Sequence, residues 1–125
     1  EIVLVVDDEQ KILDIAADVL KANGYRVLTA REGTEALTIF VKPTEKVHAV
    51  VTDLMMPFFD GAALVRALRR IDPVLPIAVM TGLVTGQVES DLQRLGIRHF
   101  LRKPFHAGEL LAAVNALLDT KRPSA

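Results

Sequence analysis

Five residues spread along the chain, Asp7, Asp8, Asp53, Thr81 and Lys103, have side chains suited to one piece of chemistry. Three carboxylates and one ammonium, gathered in one place, carry about −2 of charge, and such packing repels and raises at least one carboxyl pKa. A divalent cation removes that penalty. Oxygen donors without histidine or cysteine favour a hard ion, magnesium, with manganese as the alternative. Magnesium typically takes one or two carboxylates, keeps several waters and accepts a phosphate oxygen as a further ligand. Asp8 and Asp53 are the expected direct ligands, helped by a nearby backbone carbonyl, with Asp7 acting through water. A carboxylate can also be a nucleophile and form an aspartyl phosphate. That transfer needs the equatorial phosphoryl oxygens held and neutralised. The ion, the Lys103 ammonium and the Thr81 hydroxyl can take one oxygen each. Gly82 beside Thr81 leaves room for the phosphoryl group and its donor.

Chemistry of this kind requires elements that bring the five residues together. Short β-rich runs alternate with helical runs five times along the sequence. Ile2–Val6 is a continuous apolar run ending in two aspartates, the pattern of a strand buried on both faces. A helix follows from Gln10 to Asn23, with Ile12, Ile15, Ala16, Val19 and Leu20 as its apolar positions and Gly24 as its C-terminal cap. Tyr25–Ala30 is the second strand. Gly33 to Phe40 is a short helix with Ala36, Leu37 and Phe40 on one side. The third strand, Val47–Thr52, runs straight into Asp53. After the loop 54–59, Asp60 is the expected N-cap of a helix from Gly61 to Ile71 whose inner side is Leu64, Val65, Leu68 and Ile71. Pro76–Met80 is the fourth strand and leads into Thr81. Gly86–Leu95 is a weakly patterned helix, carrying Val88, Leu92 and Leu95, which Gly96 ends. His99–Leu101 is the fifth strand, followed by Lys103 and Pro104. A last helix runs from Ala107 to Leu118 with Leu110, Val114, Leu117 and Leu118 as its stripe. Such alternation implies a parallel sheet with helices on both faces. Ligands of open parallel sheets bind beyond the carboxyl ends of the strands. Four of the five strands deliver one or more of these residues to that edge.

The bulk composition sets limits. With 125 residues, the chain suits one domain. Sixteen acidic residues nearly cancel fifteen basic ones, which gives no sign of a nucleic-acid or membrane surface. There is no cysteine, so disulfides, thiol catalysis and cysteine-ligated zinc are excluded, and the composition fits a reducing cytoplasm. His48, His99 and His106 are too scattered for a histidine metal site, and His99 and His106 read as surface or satisfied residues. No apolar run approaches the roughly 18 residues that cross a bilayer. The start at Glu1, directly on a strand, suggests a piece of a longer protein. Residues 1–119 are expected to form the domain, with 120–125 as a tail or linker.

Four segments in this order carry a resemblance: Val5-Val6-Asp7-Asp8-Glu9, then Asp53-Leu54-Met55-Met56-Pro57 with Asp60-Gly61, then Met80-Thr81-Gly82, and Phe100-Leu101-Arg102-Lys103-Pro104-Phe105. Over essentially the whole chain the sequence resembles the response-regulator receiver family of two-component signalling. The resemblance implies a flavodoxin-like, doubly wound (βα)5 fold with a parallel sheet of order 2-1-3-4-5. It implies that Asp53 is the phosphoacceptor and that Asp7 and Asp8 are the acidic metal pair. The Met55 carbonyl would be the third protein ligand, and Lys103 would pair with the phosphate. Thr81 and Phe100 would be the switch residues, and a cis peptide bond would precede Pro104. The implied donor is a histidine kinase or a histidine phosphotransfer protein. The implied output is a change in the face made by the fourth helix, fifth strand and fifth helix, which is also the expected surface of a homodimer. The short tail favours a C-terminal receiver of a hybrid histidine kinase.

Some positions depart from the commonest family pattern. Phe100 lacks the hydroxyl of the tyrosine often found there. Met55, Phe58, Phe59 and Leu83 surround the site with apolar groups, which are expected to shield an acyl phosphate from water. Taken singly, Asp7 and Asp8 read equally well as helix caps, and Thr81 as a structural hydroxyl. Three rival functions stand beside the receiver. A haloacid-dehalogenase-type phosphatase would need a DxD after the first strand, which Asp7-Asp8-Glu9 is not. A receiver-like module that no longer takes phosphate would lack the acidic set. Nucleotide binding at the first strand would need a glycine-rich loop.

Overall fold

A computed structural model of the chain describes residues 1–54, 61–82 and 86–121. Five strands and five helices alternate: β1 (Ile2–Val6), α1 (Gln10–Ala22), β2 (Arg26–Ala30), α2 (Gly33–Phe40), β3 (Ala49–Asp53), α3 (Gly61–Ile71), β4 (Ile77–Thr81), α4 (Gly86–Arg94), β5 (His99–Arg102) and α5 (Ala107–Lys121). All strand pairs are parallel, and the sheet order is β2-β1-β3-β4-β5. The expected flavodoxin-like fold and strand order are both borne out.

The pleat sorts each strand's side chains to opposite faces. Leu4 and Val6 of β1 join Val50, Val79, Leu64, Val65, Leu68 and Leu92 in the layer under α2, α3 and α4. Val3 and Val5 join Leu13, Ala16, Leu20, Ala78, Met80, Leu110, Val114 and Leu117 under α1 and α5. With helices on both sides, β1, β3 and β4 are apolar on both faces, which is why they read as unbroken hydrophobic runs.

Two helix ends follow one device. Gly24 and Gly96 have φ of 90° and 83°. The amides of Gly24 and Tyr25 bond back to Lys21 and Leu20, and those of Gly96 and Ile97 to Gln93 and Leu92. Both are Schellman turns, which need a glycine in the left-handed region.

Several boundaries differ from expectation. β3 starts at Ala49 rather than Val47 and includes Asp53; β4 includes Thr81; β5 includes Arg102. Each added residue has a ladder partner, Asp53 with Met80 and Thr81 with Arg102. α5 continues past Leu118 to Lys121. Ile15 and Ile71, both expected inside, are 50% and 51% exposed. In α1 the inward line is Leu13, Ala16 and Leu20. Ile15 lies about 100° round the helix from Ala16 and so misses the sheet. Ile71 is the last residue of α3, beyond the stretch that packs on the strands.

Candidate functional site

The chain reverses sharply after β1. Asp7 is fully buried, and its amide donates to the Ala30 carbonyl at 3.1 Å. Its Oδ1 accepts from the Glu9 amide at 2.8 Å. This side-chain-to-backbone turn leads the chain into α1 and fixes the Asp7 carboxylate. Asp8 is half-buried. Arg31, at the end of β2, donates to the Asp8 carbonyl at 3.2 Å and ties the two loops together. Nothing in the sequence pointed to Arg31, because an arginine at a strand end reads as ordinary surface.

Asp53 closes β3 and is 5% exposed. Its backbone is fixed on two sides. The Thr52 hydroxyl donates to the Asp53 carbonyl at 3.0 Å. Gly61, the first residue of α3, lies so close that a Cβ there would stand 2.2 Å from the same carbonyl oxygen and 2.6 Å from Leu54 Cα. Only glycine lets α3 start so near the strand. The Gly61 amide donates to the Leu54 carbonyl at 2.9 Å, completing the return.

Carboxylate oxygens of Asp7, Asp8 and Asp53 all lie within 4.8 Å of one another. Lys103 arrives from β5. Its Nζ donates to Asp7 Oδ2 at 2.6 Å, stands 3.3 Å from Asp53 Oδ2, and is 4.0 Å from Glu9 Oε1. Burial disfavours the ammonium, yet the bond to Asp7 and the charges of Asp53 and Asp7 outweigh burial and raise the Lys103 pKa. The lysine therefore stays cationic. The Lys103 amide donates to the Thr81 carbonyl at 2.9 Å, which sets the last residues of β4 and β5 side by side. The Lys103–Pro104 peptide is cis, as expected.

Thr81 is 1% exposed at the end of β4, and a Cβ on Gly82 would meet open space. Phe100 is half-buried against the core under α2, α3 and α4. The structure thus brings together Asp7, Asp8, Asp53 and Lys103, with Thr81 at the adjacent strand end. Met55, Asp60, Phe58, Phe59 and Leu83 lie outside the described residues, and so does the expected carbonyl ligand. His48 Nδ1 accepts from the Ile2 amide at 3.0 Å, and His106 is exposed. No histidine joins the acidic cluster among the described residues.

Three clustered carboxylates with hard oxygen donors and one ammonium leave an excess of negative charge. Among the described residues that donor set fits magnesium or manganese and offers nothing for a soft metal. A divalent ion would balance the charge that Lys103 alone does not, and would also offset the further negative charge of a phosphoryl group.

A family description for the response regulator receiver domain matches residues 3–115. Response regulator MprA of Mycolicibacterium vanbaalenii is 37% identical over 121 residues, covering 97% of this chain and 52% of that protein. The chain therefore spans about half the length of the curated relatives it matches. Among solved structures, a response regulator receiver domain protein from Clostridium thermocellum superposes with a TM-score of 0.85 at 33% identity, over 96% of this chain and 95% of that one. Vibrio cholerae chemotaxis protein CheY4 gives 0.88 at 28% identity, over 94% and 98%.

Proposed function

Because this chain belongs to the response-regulator receiver family, we propose that Asp53 takes a phosphoryl group from the phosphohistidine of a histidine kinase or histidine phosphotransfer protein. The observation that supports this most is the meeting of three carboxylates around the Lys103 ammonium at the carboxyl edge of the sheet.

In this reading an Asp53 carboxylate oxygen attacks phosphorus in line. The P–N bond to the donor imidazole breaks, and its electron pair returns to the ring nitrogen. Magnesium or manganese, held by Asp7, Asp8 and Asp53, would supply positive charge to the phosphoryl oxygens. Lys103 neutralises a second oxygen, and its release from Asp7 accompanies that step. The Thr81 hydroxyl donates to a third. Attack by water on the acyl phosphate later returns the carboxylate and free phosphate. Thr81 turning toward the new oxygens lets Phe100 shift, which alters the α4–β5–α5 face and any homodimer made through it.

A groove beside the site suits a protein donor. It has a volume of about 400 Å3 and is lined by Ile12 and Ile15 of α1 together with Glu9, Lys103, Pro104 and Phe105. The exposed Ile15 gains a reason there, as an apolar contact for the donor.

No helix among the described residues is long and apolar enough to cross a membrane. We place the domain in the cytoplasm, without direct contact to membrane or nucleic acid. The half-length match to MprA-type regulators supports a receiver working inside a longer response regulator, ahead of the hybrid-kinase setting that the tail suggested. Residues 1–119 would be that receiver, with 120–125 leading onward.

Mass spectrometry after incubation with acetyl phosphate and magnesium tests the central claim. One added phosphoryl group on the wild type, and none on Asp53→Ala, is the expected result. Unchanged labelling of the variant would refute it. Steady release of phosphate from monoesters would favour the phosphatase alternative instead.

A further inference from the structure

The sheet edge opposite Asp53 holds a second depression. A cleft of about 650 Å3 opens where β4 and β5 begin. Its charged lining is of one sign: Arg69, Arg94 and Arg98, with His99 beside them and no acidic residue among the described lining. The chain as a whole carries −1, so this positive charge is local. Pro73 and Val74 form part of the wall, and Val74 is 74% exposed, an unusual position for valine at a loop surface.

Helix-end electrostatics explain two of the arginines. Arg69 and Arg94 stand in the last turns of α3 and α4, where cations complement the helix dipole. Arg69 Nε also donates to the Leu95 carbonyl at 2.7 Å, and its Nη1 donates to the Leu75 carbonyl. Arg94 faces Asp91 at 3.8 Å across exposed surface. Arg98 belongs to neither helix, and capping requires no hollow. The cleft's volume lies in the range of small-molecule sites, about 300–1,000 Å3, which pair apolar walls with a few convergent polar groups. Guanidinium forks match the oxygens of phosphate better than any other side chain.

We propose that this cleft binds a small phosphorylated molecule with a flat apolar ring, of the nucleotide class. Its phosphates meet Arg94 and Arg98 at the rim, and its ring lies on Pro73 and Val74. The site is separate from the acyl-phosphate chemistry and does not depend on Asp53.

Isothermal titration of the full chain with ATP and with inorganic triphosphate tests this. EDTA is present, so that no divalent ion bridges either ligand to the acidic cluster. ATP should bind at one site with a sub-millimolar Kd, weaken with added salt, and bind Asp53→Ala equally well. Triphosphate, lacking the ring, should bind several-fold more weakly. The double variant Arg94→Ala/Arg98→Ala removes two exposed side chains, keeps its circular dichroism spectrum, and should lose affinity about tenfold or more. No ATP binding up to about 5 mM, or binding that the double variant leaves unchanged, overturns the site. Loss of ATP binding in Asp53→Ala would move the ligand to the acidic edge and overturn it too. Equal affinity for triphosphate and ATP would overturn the nucleotide class.

Discussion

Gly61 does its work by lacking a side chain. A methyl group there would have to displace either the Asp53 carbonyl or the first turn of α3. Backbone cannot yield as a flexible side chain can, so Gly61→Ala should cost about 2–3 kcal/mol by overpacking. Urea denaturation should show the lower midpoint, and phosphorylation by acetyl phosphate should slow because Asp53 is the residue pushed. Stability and labelling both at wild-type levels would remove Gly61 from this role. At this scale the sequence was informative where chemistry is concentrated. Acids at strand ends cannot be core residues, so Asp7, Asp8 and Asp53 stood out, and all three meet. Arg31 and Arg69 were hidden, because a guanidinium that donates to backbone carbonyls across loops leaves no spacing pattern. Which acid Lys103 prefers was equally illegible: the 2.6 Å contact to Asp7 against 3.3 Å to Asp53 depends on the paths of two loops.

Helices and strands were legible to the extent that their surroundings repeat. β1, β3 and β4 have helices on both faces and show as plain apolar runs, and α5 buries all four of the residues its stripe picked out. In α1 the expected positions Ala16 and Leu20 are buried and Ile12 and Val19 pack against the core, but Ile15 faces out and Leu13 takes an inner place instead. Which stripe faces inward is decided by where the sheet lies, and the sheet is not local information. Three strands ran one residue further than expected, at Asp53, Thr81 and Arg102, because a neighbouring strand extends the ladder there. The misplaced isoleucine has a use in the donor groove. Ile15→Asp should leave labelling by acetyl phosphate unchanged and slow transfer from a phosphorylated histidine kinase about tenfold, the loss of one apolar interface contact of roughly 1.4 kcal/mol. Equal rates from the kinase would place the docking surface elsewhere.

Taken as a whole, the domain sets two apolar layers against one sheet and leaves an unbalanced acidic hollow at one end. Such a hollow stores repulsion that a bound cation relieves, so folding and ion binding are linked. At a magnesium concentration about 100 times its Kd, the stabilisation amounts to about 2.7 kcal/mol. Thermal denaturation should show that gain in the wild type and lose most of it in Asp8→Asn. Equal magnesium shifts in both proteins would mean that the ion binds elsewhere.

Arg69 also bears on how such a signal would spread. Leu92 is the only fully buried side chain of α4 among its described residues, and Leu95, just past the helix, hangs by its carbonyl from Arg69. The helix is thus anchored near its last turn. A body fastened at one end swings rather than slides. If phosphorylation moves Thr81 as proposed, α4 would turn like a door about Arg69, with its widest travel at the Gly86 end and almost none at the hinge.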